Sequence, residues 1–286
     1  MCFTEDAKGN RFEFGKNWKR FLALLNEDRI HEAEKSLKKM FETEDLSGKT
    51  FLDIGCGSGL FSLAARRLGA QVRSFDYDLE SVECTKELKR RFFPADNHWT
   101  IERGDVLDEN YLRSLGEFDI VYAWGVLHHT GVMWQALENV DQLVAKQGVL
   151  FISIYNDQGA ASRVWTVLKK FYNRSSKPVR LLTVLGVGVY REFRLFVARL
   201  GQRKSPFPFK YWRERKKDRG MSAWHDLVDW VGGYPFEVAK PEQIFDFYHG
   251  RGFELVKLKT CAGGIGCNEY IFRRKSTLTD SRPIRG

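Results

Sequence analysis

The sequence predicts an α/β protein: a doubly wound, mostly parallel seven-stranded sheet with a helical N-terminal lid and a basic helical insertion after the fifth strand. Three observations predict it. Short apolar runs alternate with amphipathic helical patterns from Thr50 to Tyr155. The first of those runs ends in closely spaced glycines, and the same alternation resumes at Pro241 after a long break. Strands that alternate with helices at this spacing form βαβ units, whose strands lie parallel.

Residues 11–45 read as helical, with Trp18, Phe21, Leu22 and Leu25 spaced for one face and Ile30, Ala33, Leu37, Met40 and Phe41 for another. Residues 46–49 make a turn. Strands are expected at 50–54, 72–75, 98–103, 118–124 and 149–155, with helices at 60–68, 81–92 and 133–144 between them. From Asn156 to about Pro235 the chain is helical, basic and aromatic, without strand periodicity. A helix at 241–251 and strands at 253–258 and 269–272 complete the sheet. The expected segments are therefore a lid (1–49), a core (50–155), an insertion that caps the substrate (156–235), the end of the core (236–274) and a disordered tail (275–286).

Bulk properties exclude more than they reveal. A chain of 286 residues, 43% hydrophobic and 29% charged, suits one soluble domain with insertions better than two domains. Its 5 cysteines are odd in number and scattered, which suits reduced thiols in the cytoplasm. The first residues carry charges from Glu5 onward without an apolar run, so no signal peptide is expected. The net charge of +9 is local. Residues 160–220 hold 17 Lys/Arg against 3 Asp/Glu, and the rest of the chain is net acidic.

FLDIGCGSGLFSLAA joins the first strand to a helix through Gly55, Gly57 and Gly59. Glycines allow positive φ and let a ligand lie against bare backbone at a helix start. A dinucleotide fingerprint would need a third glycine where Leu60 stands. Asp53 closes the strand, where a pyrophosphate would be repelled and a sulfonium with an amino group welcomed. Asp76 ends the second strand, placed to accept from both ribose hydroxyls, with Tyr77 beside the adenine. Asp105, followed by Val106, is placed to accept from an adenine amine or to cap a turn. Trp124 ends the fourth strand beneath the cofactor.

In this order and spacing the pieces resemble the class I, Rossmann-like, S-adenosylmethionine (SAM) dependent methyltransferases, over residues 46–155 and again 241–273. The resemblance implies a methyltransferase with SAM as cofactor and S-adenosylhomocysteine (SAH) as product. The Asn-Pro-Pro-Tyr and Asp-Pro-Pro-Tyr motifs of adenine-amine methylation and the Pro-Cys pair of cytosine methylation do not occur. Leu127-His128-His129 followed by a helix, and a fifth strand ending in SIYND, are loosely similar to the O-methyltransferases of ubiquinone biosynthesis. That similarity implies a small or lipid-like acceptor methylated at oxygen.

A hydroxyl acceptor must lose a proton, and a histidine is poised to take it near neutral pH. His129 and His128 are the candidate bases, then Asp157. The histidines alternatively only shape the pocket, and Asp157 alternatively caps the helix starting near Ala160. Adjacent histidines without a carboxylate pattern give no metal site. Trp224, Trp230, Tyr234 and Glu237 are the candidates to wall the acceptor pocket, unless that stretch is a packed junction.

Two apolar stripes in the insertion are edged with Arg and Lys: Val164, Val167, Leu168 and Phe171, then residues 181–200. Such stripes suit an interfacial helix on anionic lipid at the cytoplasmic membrane face. The same residues suit a cap packed on the core, or, with the bases and aromatics of KYWRERKKDR, an RNA surface. The uncharged stretch 181–190 favours lipid over nucleic acid. An RNA methyltransferase and a SAM-binding scaffold without turnover stand as the rival readings.

Overall fold

In the computed structural model, which describes residues 12, 14–23, 25–201, 223–262, 264 and 266–276, the chain opens with helices α1 (Phe14–Leu22) and α2 (Glu27–Phe41). Asn26 caps α2 by accepting from the Arg29 N–H, and Glu42 ends it in the left-handed region. The alternating segment follows as β1 (Thr50–Ile54), α3 (Leu60–Arg67), β2 (Gln71–Asp76), α4 (Leu79–Phe92), β3 (Trp99–Arg103), α5 (Glu109–Leu115) and β4 (Phe118–Trp124). After a single turn of 3₁₀ helix (Leu127–His129) come α6 (Met133–Asp141) and β5 (Val144–Tyr155). The insertion supplies α7 (Ala160–Arg174), α8 (Lys177–Gly201) and α9 (Ala223–Gly232); α10 (Pro241–His249), β6 (Phe253–Lys259) and β7 (Cys267–Arg274) close the fold.

The seven strands form one sheet in the order β3-β2-β1-β4-β5-β7-β6, with β7 antiparallel to both neighbours. The fold class is therefore the one the sequence predicts. The order reverses between β1 and β4, and in open α/β sheets ligands bind beyond the strand ends at that switch point. The central strands are covered on both faces, which is why they read as continuous apolar runs. Phe51, Ile120, Tyr122 and Phe151 enter the core beneath α2, α3 and α4. Leu52, Val121, Leu150 and Ile152 alternate into the opposite core with α6 and α10.

Some boundaries differ from expectation. Helix α6 stops at Asp141 rather than running to 144, and β5 begins at Val144 rather than 149. Val144 pairs with Phe118, the register then shifts, and pairing resumes at Val149. The polar AKQG stretch that reads as a turn is this bulge, with Gln147 at positive φ. Helix α5 was not expected: at seven residues, capped by Asp108, it is too short for a periodic signal. In the insertion, α7, α8 and α9 share a small core of Tyr172, Val184, Leu227 and Val231 with Phe12 against it. The basic KYWRERKKDR segment, Cys2 and nearly all of the tail lie outside the described residues.

Candidate functional site

The C-terminal ends of β1, β2 and β4 converge on the glycine loop. Gly55 and Cys56 donate to the Phe75 carbonyl, at 2.8 and 3.1 Å, which ties the loop to β2. Gly55 has φ 70°, and a Cβ there would come within 2.5 Å of Val126. Gly57 has φ 55°, and a Cβ there would come within 2.9 Å of the Trp18 indole. Only glycine fits either position. The Asp76 carboxylate accepts from the Gly57 N–H at 3.0 Å and from the Asp78 N–H at 2.8 Å, so it already grips the loop.

Asp53 is buried beneath this loop, at 2% exposure. It terminates a chain of donors: Trp99 Nε1 donates to Ser74 at 3.0 Å, Ser74 donates to Ser62 at 2.8 Å, and Ser62 donates to Asp53. Burial pushes the Asp53 carboxyl up to about 7, and the negative charge of Asp76 adds to the effect, while the Ser62 hydrogen bond opposes it. A buried acid held this far from its usual range is a site that gains from a cation.

Around this pair lie the other expected cofactor residues. Asp105 accepts from the Leu107 N–H at 2.9 Å, closing the turn after β3, and Val106 beside it is buried. The Gly104 N–H donates to the Asp76 carbonyl at 3.1 Å, which brings this turn against the β2 end. Tyr77 is 41% exposed, with the Arg103 guanidinium 5.7 Å from its ring centroid. Trp124 ends β4 opposite Ser153. Helix α1 roofs the group: the Gly15 N–H donates to Asp78 at 2.9 Å, and Trp18 lies against Gly57.

On the far side of the β4–β5 ends, the 3₁₀ turn carries His128 and His129. His128 is fully buried, and its Nδ1 lies 3.1 Å from the Ser153 carbonyl. A carbonyl only accepts, so Nδ1 carries the proton and Nε2 is left as a bare acceptor. That Nε2 is buried and has no hydrogen-bond partner among the described residues. Burial holds the imidazole well below its usual proton affinity, assisted by His129 and by Lys169. His129 Nδ1 donates to the Pro235 carbonyl at 2.5 Å, and its ring lies 5.1 Å from that of Phe14 on α1.

The His128 ring packs 4.2 Å from Tyr155, which meets Trp230 at 5.1 Å and Phe236 at 4.9 Å. Trp230 thus joins the histidines. Tyr234 lies near them through the cis peptide to Pro235, and its carbonyl accepts from the Phe12 N–H. Glu237 also reaches the histidine turn, its N–H donating to the His128 carbonyl at 3.0 Å, while its carboxylate and Asp157 are engaged elsewhere. Glu237 accepts from the Met133 N–H at 3.0 Å, at the start of α6, and burial raises its proton affinity. Asp157 accepts from the Gly159 N–H at 2.8 Å in the turn leading into α7. Trp224 is 44% exposed and makes none of the ring contacts of this cluster.

Sequence reasoning missed Ser62, Tyr155, Phe236 and Lys169. Lys169 reads as a solvated base beside an apolar stripe, yet it is fully buried, its ammonium 4.6 Å from the Trp230 ring centroid and 4.7 Å from that of Phe236. Only the direction in which α7 faces could have revealed it.

The chain's similarities accord with this geometry. A family described as "Methyltransferase domain" matches residues 25–217. The ubiquinone biosynthesis O-methyltransferase of Glaesserella parasuis is 31% identical over 120 residues, 40% of this chain and 49% of that protein. The ribosomal protein L11 methyltransferase of Thermotoga petrophila is 32% identical over 135 residues, 44% of this chain and 47% of that protein. The chain thus spans about half the length of the curated relatives it matches. Among solved structures, the magnesium protoporphyrin IX methyltransferase of Synechocystis with bound SAH superposes with a TM-score of 0.51 at 14% identity, over 87% of this chain and 84% of that one. An N-methyltransferase from Bradyrhizobium japonicum in complex with SAH gives 0.50 at 15% identity, over 92% and 100%. At such identities these likenesses show the fold.

Proposed function

The chain belongs to the methyltransferase domain family, and from that premise we propose that it transfers a methyl group from SAM to an oxygen atom of a small or lipid-like acceptor. SAM supplies an electrophilic methyl group on a sulfonium. The residues present fit it: a buried acid with a raised proton affinity favours a cation, and the glycine loop leaves room only for bare backbone. In this reading Asp53 balances the positive charge of the methionine portion, and Gly55, Gly57 and Gly59 lie along it. Asp76 exchanges its backbone donors for the ribose hydroxyls. Tyr77, Asp105, Val106 and Trp124 enclose the adenine.

The single observation that carries the acceptor chemistry is the bare, buried Nε2 of His128. A hydroxyl of phenolic type has a proton affinity near 10, far too high to ionise unaided at neutral pH. An imidazole kept neutral by its surroundings takes that proton as the oxygen attacks, and the Ser153 carbonyl fixes the tautomer that makes this possible. His129, anchored to Pro235, holds the turn and the neighbouring wall.

A second observation bears on where the acceptor is met. Val164, Val167 and Phe171 on α7, and Leu182, Val189 and Phe193 on α8, are each more than half exposed. Apolar rows of this size mark an interaction surface, and their setting in a segment of 17 Lys/Arg matches an anionic membrane face. No helix among the described residues is long and apolar enough to cross a membrane, so the attachment in this reading is peripheral.

The test is incubation with methyl-labelled SAM and parallel fractions of a lysate: lipid extract, polar metabolites, RNA and ribosomal protein. Label in the lipid or metabolite fraction, stable to mild alkali as an ether is, is the expected result. Label confined to RNA or ribosomal protein would replace the small-acceptor reading. SAM binding without label in any fraction would support a scaffold.

A further inference from the structure

Lys169 on α7 is a fully buried basic side chain that makes no salt bridge among the described residues, with Asp229 as the acid acting on it. Its side chain is completely inaccessible. The ammonium donates to the Trp230 carbonyl, and it lies 4.6, 4.7 and 5.7 Å from the ring centroids of Trp230, Phe236 and Tyr155. An ammonium has three donors, and buried charges are ordinarily matched by an opposite one. Aromatic faces attract a cation but do not neutralise it.

A purely structural role accounts for little of this. The carbonyl that Lys169 meets belongs to the last turn of α9, yet Asn173 already serves that helix end. Its Nδ2 donates to the Gly232 carbonyl at 2.7 Å and to the Lys169 carbonyl at 2.9 Å. Burial pushes the Lys169 ammonium down to about 7, with Cys267 and Asp229 opposing the shift, so the charged form gains from an added anion. The ring of Tyr155 is shared: it packs 4.2 Å from His128 on one contact and receives the Lys169 ammonium on another. The buried lysine, which feels Asp229 only at a distance beyond a salt bridge, and the candidate base therefore border the same aromatic group.

We propose that Lys169 is the counter-ion for an acidic group of the acceptor, a carboxylate or equivalent anionic oxygen, which reaches it by displacing the rings of Phe236 and Tyr155. The acceptor is then an aromatic organic acid, its hydroxyl presented to His128 and its anionic end to Lys169. The hydroxyl half of this assignment rests on the proposed function; the anionic half rests on Lys169 alone.

Binding, rather than turnover, separates the two. Equilibrium dialysis of the SAH-saturated protein at pH 6 would compare benzoate, benzyl alcohol and benzylamine as probes of one shape and three charges. Benzoate is expected to bind the wild type at least about tenfold more tightly than benzyl alcohol, equivalent to about 1.4 kcal/mol. In Lys169→Met the two should agree within about twofold, while Lys169→Arg keeps the preference. Equal binding of benzoate and benzyl alcohol to the wild type, a preference for benzylamine, or a preference surviving in Lys169→Met would each overturn the proposal.

Should Lys169→Met fail to fold, the wild type carries the test through pH. The benzoate advantage must vanish by pH 9.5, and its persistence there would overturn the proposal. Asp229 and Cys267 act on Lys169, and His128 and His129 border its ring cluster. The benzyl alcohol series corrects for their titration. None of these results depends on methyl transfer, so a failed labelling assay leaves this outcome separately readable.

Discussion

The sheet core and the insertion use the same helical and strand periodicities in opposite senses. Around the sheet, apolar positions point inward: Leu52, Val121, Leu150 and Phe151 are essentially inaccessible. On α7 the inward positions are Ser162, Lys169, Tyr172 and Asn173, and the apolar Val164, Val167 and Phe171 face out. On α8 only Val184 among the large apolar residues is fully buried, while nine others from Leu181 to Leu200 are exposed. A helix turned this way gains little from burying its stripe, and among the described residues nothing covers that stripe. Its inner, polar face is where a buried lysine and the aromatic cluster meet the histidines.

The contrast predicts a hierarchy of effects. Leu52→Ala should lower unfolding free energy by about 2–5 kcal/mol in denaturant titration, because a cavity opens in a close-packed layer. Val189→Ser on α8 should change it by less than about 0.5 kcal/mol. Comparable losses at both positions would mean that the α8 face is covered. His128→Gln should reduce turnover about 10²- to 10⁴-fold, measured as label transfer to the accepting fraction, while SAM binding by calorimetry stays within about twofold of wild type. A parallel loss of SAM binding would assign His128 to the pocket wall.

Asp53 should show a smaller effect with a definite sign. Its folded proton affinity lies near 7, above the ordinary 3.8 of the unfolded chain. Its contribution to stability is therefore full at low pH and is lost as pH rises from about 4 through about 7. Asp53→Asn, which keeps an acceptor for Ser62, should match wild type in thermal unfolding near pH 4 and exceed it near pH 8. SAM binding by the wild type should weaken up to about tenfold per pH unit below about 7, as the proton competes with the cation, and Asp53→Asn should flatten that dependence. A flat wild-type profile would remove Asp53 from the cofactor site.

The difference between the two regions also explains how much the sequence disclosed. Strands buried on both faces give continuous apolar runs, so β1, β2 and β4 and the glycine loop are legible without a structure. The start of β5 is not, because a polar bulge at Lys146–Gln147 imitates a loop. In α7 the stripe is legible but its direction is not: periodicity says which residues share a face and nothing about whether that face looks in. Lys169 was hidden by this ambiguity. Asp157 shows a different limit, since an acid near a helix start has the same sequence signature whether it caps a turn or meets a ligand. The helix start that Glu237 serves lies 104 residues away in sequence.

The most direct test uses the exposed face itself. Leu182→Asp, Val189→Asp and Phe193→Asp combined in one protein leave the core and the histidines untouched. Label transfer from SAM would be compared with the wild type on lipid extract presented as anionic vesicles and on the same extract dispersed in detergent. The variant is expected to lose at least about tenfold on vesicles and to keep wild-type rates in detergent. Equal rates of variant and wild type on vesicles would contradict the peripheral attachment.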